Sequence, residues 1–154
     1  LLNVNEKTNV VVAIGNPRIR KKIVERLQIN KNISFPNIFD KDVIIDKTVT
    51  IGFGNIICKG SILTTNLEIG NFNHINLNCT VGHDVQFHDY ITVYPGVNIS
   101  GNVRINDCVE IGTGTKIIQG KEIVKETVIG AGSVVVKDIV ENGTYIGVPA
   151  KQMK

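Results

Sequence analysis

The sequence predicts a mostly β protein, a parallel β-helix of about five coils preceded by a partial α/β segment. Three observations predict it. The chain of 154 residues holds 24 Ile and 20 Val against 6 Leu and 3 Ala, and β-branched residues suit pleated, half-buried surfaces better than helices. From Ile45 to Val135 a large apolar residue recurs every six positions. Before residue 43 that repeat gives way to the pattern of a strand, a turn and a helix. A helix bundle is excluded, and a composition 42% hydrophobic and 20% charged excludes disorder.

Residues 1–42 come first and read as the closing part of a small α/β domain. Leu1 is not an initiator Met, so the first part of that domain is expected to lie outside this chain. Val10 to Ile14 is an apolar run that predicts a strand, and Gly15-Asn16-Pro17 follows as a turn. Asn16 suits a helix N-cap and Pro17 the first helical position. Ile19, Ile23 and Leu27 then recur at helical spacing and predict the buried stripe, with Arg18, Arg20, Lys21, Lys22, Glu25 and Arg26 at the other positions. A further strand is expected around Ile33–Ile38. No GxGxxG motif is present, so a nucleotide site cannot be read from this segment alone.

Residues 43–154 carry the repeat. The anchors are Ile45, Ile51, Ile57, Leu63, Ile69, Ile75, Val81, Phe87, Val93, Ile99, Ile105, Ile111, Ile117, Ile123, Ile129 and Val135. Ile, Leu, Val and Phe supply 55 of the 154 residues. Sixteen successive hits by chance would arise about once in ten million trials before allowing for choice of register. Four positions after the anchors stand mostly small or β-branched residues, among them Val49, Ser61, Val85, Val97, Val109 and Thr115. One position after come Gly52, Gly70, Gly82, Gly112 and Gly130, with Asp46, Asn76 and Asn106 in the same column. Those residue types tolerate unusual backbone angles, so this column is expected to make the tight corners. One short strand plus one corner per hexad, and three hexads per triangular coil, describe a parallel β-helix. Anchors and their fourth-following partners point inward, and chemistry is left to the outward columns.

Bulk properties narrow the function little. The net charge is +3, without the basic clusters and interleaved aromatics that nucleic-acid binding calls for. No apolar run reaches the length of a membrane span, and no signal-peptide pattern opens the chain. Three irregularly spaced Cys argue against a disulfide scaffold and fit a reducing cytoplasm.

The outward residues are more informative. All three His fall between residues 74 and 88. His83 follows Gly82 and precedes Asp84 at an outward corner. Imidazole is the usual general base near neutral pH, and a neighbouring carboxylate can fix its tautomer. His83 and His88 also have the spacing of two zinc ligands in left-handed β-helix carbonic anhydrases. A catalytic zinc needs a third protein ligand, and the stacked position 36 residues before His83 is Lys47. No metal is expected.

Three stretches support a family resemblance: the ladder; Asn76-Leu77-Asn78-Cys79-Thr80-Val81-Gly82-His83-Asp84; and Ile129-Gly130-Ala131-Gly132-Ser133-Val134-Val135-Val136-Lys137-Asp138 with Gly147-Val148-Pro149-Ala150-Lys151. Together they resemble the hexapeptide-repeat acyltransferases, whose β-helix is left-handed. The subgroup most similar is the nucleotide-amino-sugar N-acetyltransferases and sialic acid O-acetyltransferases. Val11-Val12-Ala13-Ile14-Gly15-Asn16 with Arg20-Lys21-Lys22-Ile23 resembles the end of their sugar-nucleotide domain.

The resemblance implies a homotrimer with acetyl-CoA lying between adjacent β-helices, and a nucleotide-linked amino sugar, a precursor of bacterial surface glycans, as acceptor. It implies His83 as general base and Asp84 as the residue that orients it. Asn76 and Thr92 are implied on the acceptor side. The Gly101 N–H would stabilise the oxyanion, Gly112, Gly114, Gly130 and Gly132 would line the pantetheine path, and Lys137 and Lys151 would meet the CoA phosphates.

Three departures from the family pattern stand out. Thr92 replaces a second His that sits near the acetyl group in many relatives. His88 stands where Gly is usual. Lys121 occupies an inward column, where an unpaired charge predicts a loosened corner. The alternatives left open are O-acetylation of sialic acid or another sugar, a zinc carbonic anhydrase-like protein, and a non-catalytic trimeric scaffold.

Overall fold

The computed structural model describes every residue except 2, 3 and 154. At the N-terminal end, strand β1 (Thr8–Asn9) pairs in parallel with β2 (Ile33–Ser34), and helix α1 (Pro17–Leu27) connects them. The apolar run Val10–Ile14 is not the strand that the sequence predicts. The ladder ends where the Val10 N–H donates to Ser34 O (2.9 Å), because β2 is too short to pair with more of it. Asn16 caps α1 as expected, its side chain accepting from the Ile19 N–H at 3.0 Å.

The buried stripe of α1 differs from the expected one. Pro17, Arg20, Val24 and Leu27 are buried, whereas Ile19 is about half exposed. The stripe turns by one position because Arg20, read from sequence as a solvent residue, is enclosed.

From Ile38 the chain winds in coils of eighteen residues, each residue pairing in parallel with its equivalent one coil on, such as Thr80 with Asn98. Coil hydrogen bonding thus begins before the expected boundary at residue 43. The first face stacks strands from Ile38–Phe39 to Thr144–Ile146, the second from Ile44–Ile45 to Val134–Val135, and the third from Thr50–Ile51 to Glu122–Ile123. The second face carries six rungs, so the solenoid has about six turns. An antiparallel strand, Lys151–Gln152, covers the last rung of the first face.

Inside, anchors such as Ile75, Val93, Ile105 and Ile111 form one continuous apolar column. Several inward positions are polar, among them Asn55, Ser61, Asn73, Thr115, Thr127 and Ser133. Asn55 and Asn73 are fully buried, and each accepts through its side-chain oxygen from the backbone N–H one coil on, at Asn73 (2.8 Å) and Ile91 (2.7 Å). Their amide groups donate to Gly70 O and His88 O, so no buried polar atom of either is left bare.

The corners are built differently from the sequence expectation. The left-handed residues lie three positions after each anchor, in fourteen successive hexads from Gly54 to Gly132, and eight of them are not glycine. The glycines one position after the anchor have no positive φ, and crowding explains them. A Cβ on Gly82 would lie 2.6 Å from Gly101 N and 2.8 Å from Ser100 C, and one on Gly112 would lie 2.7 Å from Gly130 C. Two asparagines in this column bond forward to the next coil, Asn76 to Val93 O (3.1 Å) and Asn106 to Ile123 O (2.9 Å).

The corner at Lys121 is not loosened. Arg104 N still donates to Lys121 O at 2.9 Å, and the ammonium lies 3.9 Å from Asp138 Oδ1, so the charge has a partner.

Helix α1 docks on the corner between the third and first faces. Phe72, Tyr90 and Cys108, all left-handed corner residues, turn outward there and form a second apolar cluster with Val10, Val12, Val24, Leu27 and Phe35. Among the described residues no helix is long and apolar enough to cross a membrane.

Candidate active site

His83 and Asp84 occupy the corner between the second and third faces. Asp84 takes the left-handed conformation (φ 57°), which turns its carboxylate back beside the preceding imidazole. His83 Nδ1 lies 2.8 Å from Asp84 Oδ2, and both side chains are about half exposed. The bond from His83 and a second from Asn66 hold the Asp84 carboxyl below the usual carboxylate range, so it is ionised at neutral pH. An ionised acceptor at Nδ1 keeps the proton there and leaves the Nε2 lone pair free.

The next residue up this column is Gly101, and His83 is laid across it. A Cβ on Gly101 would collide with the imidazole at Nε2, Cε1 and Cδ2. Glycine at 101 therefore gives the ring its seat. The Gly101 carbonyl accepts from the Gly120 N–H (3.0 Å), while its own N–H donates to no group among the described residues. An unbonded ring nitrogen of the half-exposed His83 thus lies against the buried Gly101 backbone, whose N–H has no partner among the described residues. That is the pairing needed to remove a proton and to stabilise an oxyanion. Lys137 continues the same corner column towards the C-terminal end and is exposed.

The other implied residues lie elsewhere on the solenoid. Asn76, Gly112 and Gly130 stack at the corner between the first and second faces, with Gly114 and Gly132 two residues further along their turns. Gly114 and Gly132 have left-handed φ, and an added Cβ at either would meet nothing within 4 Å, so their backbone is open to approach. Lys151 is exposed on the terminal strand of the first face. Within one chain the two corners flank the second face, and His83 is not brought against Asn76.

Thr92 is not placed to touch an acceptor. It is fully buried on the first face, where its hydroxyl donates to Gly15 O (2.6 Å) and accepts from Arg20 Nη2 (3.0 Å). Both bonding directions are committed, and the N-terminal turn covers it. His88 lies on the third face with its Nδ1 3.8 Å from Asp107 Oδ1. Among the described residues no three His, Cys, Asp or Glu side chains gather as a metal site.

Sequence reasoning missed three residues around Thr92. Arg20 and His74 are enclosed with it, Arg20 Nη1 donating to His74 Nδ1 at 3.2 Å. Burial, then the neighbouring guanidinium, lowers the His74 pKa to about 4, so the ring is neutral, and its Nε2 lies 3.1 Å from Val12 O as the donor. Tyr94 stacks on Asn76 one coil later beside Gly15, and its hydroxyl donates to Glu110 Oε2 at 3.3 Å. A His and a Thr at equivalent outward positions one coil apart, His74 and Thr92, were the available signal for a covered patch.

No protein-family model matches the chain. The GDP-perosamine N-acetyltransferase of Escherichia coli O157:H7 is 38% identical over 125 residues, which span 79% of this chain and 54% of that protein. The chain thus covers about half the length of that curated relative. Among solved structures, WeeI from Acinetobacter baumannii AYE superposes with a TM-score of 0.89 at 33% identity, covering 96% of this chain and 71% of the other. A histidine-to-asparagine variant of the perosamine N-acetyltransferase from Caulobacter crescentus, in complex with CoA and GDP-perosamine, gives a TM-score of 0.91 at 28% identity, covering 94% and 68%. With its left-handed solenoid and its outward histidine corner, the chain belongs to the hexapeptide-repeat β-helix acetyltransferase family.

Proposed function

We propose that this chain is the transfer module of an acetyl-CoA-dependent N-acetyltransferase acting on a nucleotide-linked amino sugar of surface-glycan synthesis. The observation that carries the reading is the His83 imidazole, tied to Asp84 through Nδ1 and seated on Gly101 with Nε2 free. The superposable perosamine N-acetyltransferase holding CoA and GDP-perosamine supports the choice of substrates.

In this reading the acceptor amine attacks the thioester carbonyl directly. The nitrogen lone pair forms the C–N bond, and the Gly101 N–H receives the developing oxyanion. His83 Nε2 takes the proton from the nitrogen, and Asp84 stabilises the imidazolium. The C–S bond then breaks, and the same proton passes to the CoA thiolate. No cysteine lies at the corner, which agrees with transfer without an acyl-enzyme. Gly112, Gly114, Gly130 and Gly132 offer a bare backbone edge for pantetheine, and Lys137 and Lys151 supply ammonium groups for the CoA phosphates. Asn76 keeps its side-chain oxygen for the acceptor while its amide holds Val93 O.

His83 and the glycine corner stand on different edges of one solenoid, and a homotrimer would bring edges of adjacent copies together. Sedimentation showing a monomer at assay concentrations would remove that part of the reading. Residues 1–42 serve as the end of the sugar-nucleotide domain. The free thiols of Cys58, Cys79 and Cys108 and the class of the proposed substrates support a cytoplasmic setting.

The deciding experiment is a His83→Ala variant assayed by thiol release with GDP-perosamine and with hydroxyl acceptors such as sialic acid. Turnover should fall by about 10²–10⁴, the usual contribution of a general base. Undiminished turnover in this variant would sink the reading, and transfer to hydroxyl acceptors alone would replace N- with O-acetylation.

A further inference from the structure

The interface between α1 and the coils contains a charged group with no counter-ion. Arg20 is completely buried, surrounded by the apolar stripe Pro17, Val24 and Leu27 on its own helix. No carboxylate lies within ion-pair distance of it among the described residues. Burial lowers its pKa to about 10, which still leaves it charged at neutral pH. Enclosing a lone cation is costly, and an aliphatic residue would dock a helix at lower cost. What an aliphatic residue cannot do is hold carbonyl groups.

Arg20 holds three. Its Nη1 donates to Ile14 O (2.6 Å) and Gly15 O (3.1 Å), and its Nη2 donates to Ile91 O (3.1 Å). The first two belong to the turn between the extended segment and α1, and the third belongs to a coil of the solenoid. His74 and Thr92, on adjacent rungs of the first face, complete the enclosure: His74 binds Val12 O and Arg20, and Thr92 donates to the Gly15 carbonyl. The turn is thereby fixed beside Tyr94, whose hydroxyl lies 3.8 Å from where a Gly15 Cβ would be. Tyr94 stands at the corner of Asn76 and Gly112. In α/β units the turn that leads out of a strand into a helix is where ligands are held.

We propose that Arg20, His74 and Thr92 are positioning residues that fix the Ile14–Asn16 turn against the first face, so that a nucleotide-linked sugar held by the α/β segment reaches the Asn76–Tyr94 corner in one register. The inference rests on the acetyl-transfer reading for its substrate. It does not rest on that reading for the clamp itself. The device acts on the acceptor alone, because none of the three side chains is exposed to the corner of His83 and Gly101.

The test compares the full chain with T92V, R20M and R20K at a temperature where all remain folded. With GDP-perosamine as acceptor, T92V, which removes the bonds to Gly15 O and from Arg20 Nη2, should raise the acceptor KM about five- to tenfold, the loosening expected when the turn loses its direct bond to the first face. R20M should raise it further, and R20K should recover part of the loss because an ammonium can still hold a carbonyl. The KM for acetyl-CoA and the pH dependence of kcat should not move. Equal changes in both KM values, or lower thermal stability with both KM values intact, would overturn the inference. Hydrogen–deuterium exchange gives a readout that needs no turnover. Exchange at the Ile19 and Arg20 amides, which the turn holds through Asn16, should accelerate in T92V by about the same factor, with residues 79–84 unchanged. Unchanged exchange at the Ile19 and Arg20 amides refutes the clamp whatever the kinetics show. Faster exchange in a chain that transfers no acetyl group leaves the clamp standing and refutes the acetyl-transfer reading.

Discussion

Gly82 and Gly101 touch across adjacent coils from neighbouring columns, and the same substitution at each should produce opposite phenotypes. Neither has a left-handed φ, so the space around a new methyl group decides the outcome. In Gly82→Ala the methyl lies 2.6 Å from Gly101 N and 2.8 Å from Ser100 C, both backbone atoms fixed in the next coil. The coils must separate, and overpacking of this kind costs about 1–3 kcal/mol. For a chain of 154 residues that is a fall in Tm of roughly 2–12 °C. In Gly101→Ala the three atoms nearest the methyl all belong to the His83 ring, which is half exposed and can swing out into solvent. Stability should change by less than about 0.5 kcal/mol, because a flexible, half-exposed ring rather than fixed backbone gives way. Turnover should nevertheless fall about a hundredfold, because the displaced imidazole no longer stands over the Gly101 N–H. Differential scanning fluorimetry and thiol-release kinetics on the two variants read both quantities. Wild-type kcat/KM in Gly101→Ala would refute the seat assigned to His83. A Tm loss in Gly101→Ala as large as in Gly82→Ala would refute the claim that the contact is compliant.

Asp84→Asn should lower kcat roughly ten- to a hundredfold, less than the loss in a buried triad because this pair is half in water and screened; steady-state assays at saturating acetyl-CoA measure it, and an unchanged kcat would leave Asp84 without an orienting role. His74 should make the fold acid-sensitive. Its folded-state pKa of about 4 lies below the ordinary 6.5, so its contribution is fully present above pH 6.5 and is lost as pH falls towards 4. A shift of that size corresponds to roughly 3 kcal/mol. Urea denaturation at intervals from pH 7 to 4 should show a slope that a His74→Gln variant lacks, and parallel curves for the two proteins would count against the buried neutral ring.

The solenoid was legible because its signal is repeated: sixteen anchors all report one environment, and no single misplacement could hide the period. The His83–Asp84 corner was legible for a different reason. Adjacent residues need no knowledge of the fold to be brought together, and the left-handed turn at Asp84 supplies the rest. Thr92 shows where this stops. Its position in a family pattern points to the acetyl site, yet what surrounds it depends on a turn 77 residues earlier in the chain. Local sequence carries no information on that approach.

Arg20 and the corner glycines mark the same limit from two sides. A sequence stripe assigns Arg to water on the ground that charge is costly to bury, and this holds for a helix packing on apolar side chains alone. The surface that receives α1 is not purely apolar: it presents the Ile91 carbonyl, the Thr92 hydroxyl and the His74 ring, and these make the guanidinium a better fit than Ile19 would be. At the corners, glycine was read as a mark of a left-handed backbone, but in this fold two separate demands select small or polar residues two positions apart. The column one after the anchor is constrained by the coil above, which leaves no room for a Cβ at Gly52, Gly82 or Gly112. The column three after the anchor carries the positive φ, and most amides there, such as Asp84 N on Thr65 O (3.2 Å) or Asn102 N on His83 O (2.7 Å), are held by the coil before them. That bond offsets the strain, so Phe72, Tyr90 and Cys108 can occupy left-handed positions and remain free to turn outward under α1. The same corner geometry that gives Asp84 its reach to His83 therefore also builds the seat for the N-terminal helix, and a single backbone device serves both the chemistry and the docking.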